Sequence, residues 1–265
     1  SKNLAEDYLN NSSPILEDMI TKYYELFPYS GKYTGYLYKA TLGEFFNNLV
    51  SADSEPYAIL GGVNYSTSDN SANYLENSKS SNSQIDGLRN SENIGLAVFK
   101  EGKLIGELSA SETLAFSIIH GGVDSFLVRI PDPNDISQKL DLVVFPKNKS
   151  INVKIVGNSP YIEFKCKFVA RIHSVDRNSK YLESETLDKI SDSLNYYLNN
   201  LFSEYLYKTS AELKSDINGF GKYSLSNFSS IPEFEKFDWK NSYQDSIFKI
   251  NIETLIDSSI LITET

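Results

Sequence analysis

Between Ser184 and Lys214, the apolar positions Leu187, Ile190, Leu194, Leu198, Leu201 and Tyr205 recur at three- and four-residue steps. That spacing places them on one stripe of an α-helix, with Lys189, Asp192, Asn199, Asn200 and Ser203 on the opposite side. A helix over 184–215 is roughly 45 Å long at about 1.5 Å per residue. Burying its stripe contributes on the order of 10–18 kcal/mol, whereas ordering each residue costs roughly 1–2 kcal/mol. Such a rod persists only against a surface that covers the stripe, and the flanking pattern predicts a sheet.

In residues 161–172, Ile162, Phe164, Cys166, Phe168, Ala170 and Ile172 alternate with Glu163, Lys165, Lys167 and Arg171, the period of a half-buried antiparallel strand. Residues 140–145 and 151–156 read as two further strands, the second joined to 161–172 by the loop Gly157-Asn-Ser-Pro160. A last strand begins near Ser246, with Phe248, Ile250, Ile252, Thr254 and Ile256 in one phase. Together these predict a mainly antiparallel sheet with the long helix across one face.

The upstream half predicts a strand at 57–63 with a bulge at Gly61-Gly62, a hairpin of 94–99 and 104–108, and a strand at 124–130. Ser13-Pro14 opens a helix carrying Ile15, Leu16, Met19, Ile20 and Tyr23. Capping boxes at Thr41/Glu44 and Ser109/Glu112 open two more. The first has the apolar face Leu42, Phe45, Phe46 and Leu49, and the second stops at Gly121-Gly122 after His120. Residues 64–93 are rich in Ser and Asn and read as a mobile loop. Pro131-Asp-Pro-Asn-Asp135 breaks the periodicity, which sets a boundary between domains 1–133 and 134–265. The expected class is α+β in two domains.

Composition narrows the function. The net charge is −10, and four arginines stand against twenty-one lysines, which argues against nucleic acid or anionic lipid as partners. No apolar run reaches the roughly 20 residues a membrane helix needs. The two histidines, His120 and His173, have no second His or Cys at metal-ligand spacing, so neither a zinc site nor another cofactor is expected. His120 is expected at a helix C-terminus interacting with the last carbonyls, His173 in solvent, and Cys166 in the core. No nucleophile motif or phosphate-cradling loop occurs, so the residues point away from an enzyme. Tyr196, Ser203 and Tyr207 share the outward face of the long helix and form a candidate partner surface. Asp216-Ile-Asn-Gly219-Phe-Gly221 reads as a helix stop in which Asn218 or Gly219 turns left-handed and Phe220 covers the helix end.

Two blocks carry a family resemblance. Ile94-Gly-Leu-Ala-Val-Phe-Lys100, Lys103-Leu-Ile-Gly106 and Leu108-Ser-Ala-Ser-Glu112-Thr113 form the first. Ser215-Asp216-Ile-Asn-Gly219-Phe-Gly221, followed by Trp239 and Tyr243, forms the second. The sequence resembles the Ger(x)C lipoproteins, the C subunits of nutrient germinant receptors of spore-forming bacteria, from about Thr41 to the end. It departs from them in having Ser210 where the family often has Gln, and in the 64–93 insertion. The family's lipid-bearing cysteine and N-terminal domain are expected upstream. The resemblance makes Glu112, Asp216, Gly219, Phe220, Gly221 and Trp239 structural motif residues. It implies a non-enzymatic subunit held by an N-terminal lipid anchor on the outer face of the spore inner membrane, assembled with the membrane-embedded A and B receptor subunits during spore germination. The other reading is a soluble small-ligand-binding module of an envelope lipoprotein.

Overall fold

The computed structural model describes residues 5–11, 22, 25–63, 78–80, 91–175 and 184–257. The class is α+β. Strands β1 (Tyr57–Val63), β2 (Ser91–Lys100) and β3 (Lys103–Leu108) form an antiparallel sheet in that order. A second sheet runs β4 (Phe126–Asp132), β5 (Asp135–Val156), β6 (Ser159–Val175) and β7 (Ile247–Ile256). The described helices are α1 (Ala5–Asn11), α2 (Gly31–Thr34), α3 (Leu42–Val50), α4 (Ala110–His120), α5 (Ser184–Tyr207), α6 (Gly221–Ser224), α7 (Ile231–Phe237) and α8 (Trp239–Ser242).

Local chemistry sets several of these ends. Both expected capping boxes form: Thr41 and Glu44 exchange hydrogen bonds at the start of α3, and Ser109 and Glu112 do so at the start of α4. Gly121 ends α4 with φ +76°, a conformation that glycine adopts without a Cβ penalty. The β1–β2 register shifts between Ile59 and Gly61, at the expected glycine bulge.

The stripe of α5 is buried as its spacing predicts. Ile190, Leu194, Leu198, Leu201 and Tyr205 lie in the core, and Leu187 packs at its margin. Phe202 and Leu206 widen the stripe. The helix lies on the inner face of the second sheet: the Phe202 ring sits 4.9 Å from that of Phe164, and Ser191 Oγ donates to the Thr254 carbonyl at 2.6 Å. Facing it, Ile162, Phe164, Cys166, Phe168 and Ala170 of β6 are buried. On the outer face, Lys167 pairs with Glu253 and Arg171 with Asp257.

The structure adds detail to several expectations. The second sheet is mainly antiparallel, as expected, but its last pairing is not: β7 pairs parallel with β6 from Tyr161↔Ile247 to Ala170↔Ile256. The 24-residue α5 carries the chain back along the sheet, so β7 enters beside β6 from the same end. Residues 140–145 and 151–156 belong to one strand, β5, which passes Pro146 through a register shift before Lys149. The domain boundary expected between residues 133 and 134 falls in the turn of the β4–β5 hairpin. There Asp132 pairs with Asp135, and the Asp132 carboxylate accepts the Asn134 amide at 2.8 Å. Proline and an Asx turn interrupt hydrophobic periodicity in a tight turn as they do in a linker. A single apolar core joins residues of both sheets across that point.

The α5 rod also ends earlier than 215. Residues Lys208–Glu212 widen into a π-turn, Lys214 takes φ +52°, and the Ser215 amide closes on the Thr209 carbonyl at 2.9 Å. Of the face expected for α3, Phe45 packs edge-on against Phe99 at 5.1 Å, while Leu42 and Phe46 are exposed. The helix expected after Ser13 and most of 64–93 lie outside the described residues. Within 64–93, the described Ser78 and Ser80 are buried, and Ser80 Oγ bridges the Leu60 carbonyl and the Ile94 amide. Residues 91–93 open β2.

Candidate functional site

The two motif blocks meet in space. Glu112, at the N-terminus of α4, accepts two bonds from Lys208 Nζ, each at 2.7 Å, and Lys208 also reaches the Glu107 carbonyl at 3.0 Å. Downstream, Ser215 Oγ donates to the Phe99 carbonyl at 2.8 Å, and the Asp216 carbonyl accepts the Glu55 amide at 2.9 Å. The loop after α5 is thereby tied to β2 and to the segment before β1.

Asp216 is the centre of a buried polar knot. One carboxylate oxygen accepts the Gly221 amide at 3.0 Å and the Trp239 indole N–H at 2.8 Å. Burial outweighs both bonds and pushes the carboxyl up to about 6. Around it, Tyr205 donates to Asn218 Oδ1 at 2.8 Å, and the hydroxyls of Thr209 and Tyr243 share a bond at 3.0 Å. Phe220 is fully buried and rests among Tyr243 and Phe248. Gly219 takes φ +67°, the left-handed residue the sequence placed here, although the helical segment itself ends at Glu212. Gly221 is set by space: a Cβ there meets the Asp53 carbonyl at 2.4 Å and Trp239 Cδ1 at 2.8 Å. The motif residues are thus held in packing or hydrogen-bond contacts.

Of the remaining titratable candidates, His120 and Cys166 are packed in the interior. The His120 ring stacks 4.2 Å from Phe116, near Tyr38 and Tyr57, and burial drives it down to about 4. Lys149, not His120, serves the C-terminus of α4, by donating to the Ile119 carbonyl. His173 is exposed. Cys166 is buried and its thiol is pushed up to about 12. Among the described residues, no group of three or more His, Cys, Asp or Glu is arranged to hold a metal ion. No described helix is long and apolar enough to cross a membrane.

The outward face of α5 is the accessible feature. Tyr196 is 72% and Tyr207 62% exposed, and Ser203 between them returns its hydroxyl to the Asn199 carbonyl. The same face borders a cleft of about 760 Å³ whose far wall is the β4–β5 hairpin. Asp192, Tyr196, Asn200 and Glu204 line one side, and Pro133 and Ile136 the other. The sequence reading missed Lys208, Glu55 and this cleft. Lys208 carries no local signal, and the cleft exists only because the hairpin folds against the helix.

Comparison with known proteins gives the family and the fold. The profile of the family described as "Spore germination B3/ GerAC like, C-terminal" matches residues 94–259, which include both motif blocks. No curated protein matches the chain. The crystal structure of the GerBC protein superposes with a TM-score of 0.52 at 20% identity, over 63% of this chain and 52% of that one. The chain therefore spans about half the length of that structure, and at this identity the likeness concerns the fold. With the profile covering well over half its length, the chain belongs to the spore germination B3/GerAC-like family.

Proposed function

We propose that this chain acts as the C subunit of a nutrient germinant receptor, without catalysis of its own. In this reading it is held by an upstream lipid anchor on the outer face of the spore inner membrane and assembles there with the membrane-embedded A and B subunits. The single observation that carries the proposal is family membership across residues 94–259. The geometry is compatible with it: the motif residues are spent on holding α5 against the core, and what is offered to solvent is a helix face with exposed tyrosines. Exposed aromatic side chains on a rigid element supply contact area at low entropic cost, the pattern of docking anchors.

The docking surface proposed is Tyr196, Ser203 and Tyr207. Capture of the membrane subunits by the wild-type chain and by Tyr196→Ala/Tyr207→Ala tests it. Loss of capture with unchanged thermal stability supports the face, and full capture eliminates it. The small-ligand reading is favoured by one observation, the cleft beside Tyr196, whose volume falls in the range of ligand pockets.

A further inference from the structure

We infer that the cleft between α5 and the β4–β5 hairpin receives a basic, apolar-anchored peptide segment of a partner subunit, a refinement that rests on the docking proposal above. Three carboxylates, Asp132, Asp192 and Glu204, line the cleft, Asp132 being buried and bonded within its turn, and among the described residues no Lys or Arg lines it. Among the described residues, Asp192 and Glu204 make no hydrogen bond or salt bridge through their side chains. Elsewhere, some acids are paired within the chain. Glu185 is paired with Lys189 on α5 itself, and Glu163, Glu253 and Asp257 are paired across β6 and β7. At this wall the carboxylates face a cleft, and their charge is complementary to cations from outside.

The spacing selects a segment over a small molecule. Asp192 and Glu204 lie twelve residues apart on one helix, about 18 Å at the helical rise. A single small amine does not reach both. An extended chain does so with cations about five to six residues apart. Between the two carboxylates stands Tyr196, 72% exposed, and on the opposite wall Ile136, 82% exposed. An apolar side chain set between them gains burial on both sides, and a cation beside the Tyr196 ring gains a cation–π contact. An anionic ligand is disfavoured: Ser111 brings the N-terminus of α4 to the cleft, but the Ser109 and Glu112 amides there are already taken within the capping box.

The test is calorimetric titration of the chain with short amphipathic Leu/Lys, Leu/Gln and Leu/Glu peptides. The Leu/Lys peptide is expected to bind, with affinity falling at least about tenfold in Asp192→Lys/Glu204→Lys and falling with added salt. The control Glu101→Lys/Glu253→Lys, of equal charge change away from the cleft, is expected to bind as wild type. Equal binding of all three peptides, equal loss in both double variants, or no effect of the cleft variant overturns the inference. Binding of free lysine with the same dependence on Asp192 and Glu204 overturns it in favour of a small-ligand site. Subunit capture separates this inference from the one it rests on. If Tyr196→Ala/Tyr207→Ala loses capture while Asp192→Lys/Glu204→Lys keeps it, docking through α5 stands and the basic segment falls.

Discussion

The indole N–H of Trp239 donates to a carboxylate oxygen of Asp216 at 2.8 Å, across 23 residues and inside the core. The bond fixes the short helices after α5 onto the loop that ends it. Replacing Trp239 with Phe removes the donor and leaves that oxygen with the Gly221 amide alone. The expected cost is about 1–3 kcal/mol, read as a lowered urea midpoint with an unchanged slope.

The pH dependence of stability is set by two buried groups of opposite sign. Asp216 is raised from 3.8 to about 6, so its contribution is complete below the unfolded value and lost as pH rises through about 6. His120 is lowered from 6.5 to about 4, so its contribution is complete above the unfolded value and lost as pH falls toward about 4. Over the window between, the two offset each other in the wild type. Asp216→Asn exposes the His120 term and is expected to lose on the order of 1–2 kcal/mol between about pH 7 and pH 5. His120→Phe exposes the Asp216 term and gains on the order of 1 kcal/mol over the same interval. Urea unfolding of both variants at the two pH values measures this, and parallel profiles would refute the pairing.

The glycines of the second motif differ in what they protect. Gly221→Ala drives a Cβ into the Asp53 backbone and Trp239, and is expected to cost more than about 3 kcal/mol. At Gly219 the nearest atoms to a Cβ stand 3.8 Å away, so Gly219→Ala bears only the left-handed penalty of about 1–2 kcal/mol, and Gly219→Val at least ~1 kcal/mol. Gly43, inside α3 with nothing within 4 Å, gains about 0.5–1 kcal/mol on replacement by Ala. Thermal melts of the series should keep that order.

Lys208 links the blocks through Glu112, and both side chains are largely shielded from solvent. Lys208→Met leaves the Glu112 carboxylate with its capping bond but no cation, at an expected cost of about 1–3 kcal/mol. Glu112→Gln keeps the cap and loses the charge pair. A double-mutant cycle on unfolding free energies is expected to give a coupling of at least about 0.5 kcal/mol.

The Cys166 thiol, buried on β6 and pushed up to about 12, is expected to resist maleimide and disulfide reagents in the native chain. It should react stoichiometrically once denaturant passes the unfolding midpoint. Native-state labelling at a rate comparable to a free thiol would contradict its placement.

What the sequence determined by itself is local. The two capping boxes, the Gly121 stop, the glycine bulge in β1 and the buried stripe of α5 depend on residues within a few positions of one another, and local periodicity reports them. The motif residues Asp216, Gly219, Phe220, Gly221 and Trp239 were legible as a set, but not their bonds. Tertiary structure decided the rest. The parallel pairing of β7 follows from where α5 delivers the chain. Asp132–Asp135 closes a hairpin because its two strands find each other. The helical segment ends at Glu212 because Ser215 and Asp216 are drawn to Phe99 and Glu55, more than a hundred residues upstream. The cleft beside Tyr196 needs two elements about sixty residues apart to lie side by side. Contacts of that separation leave no period in the chain, since either partner reads as an ordinary residue until the fold sets them together.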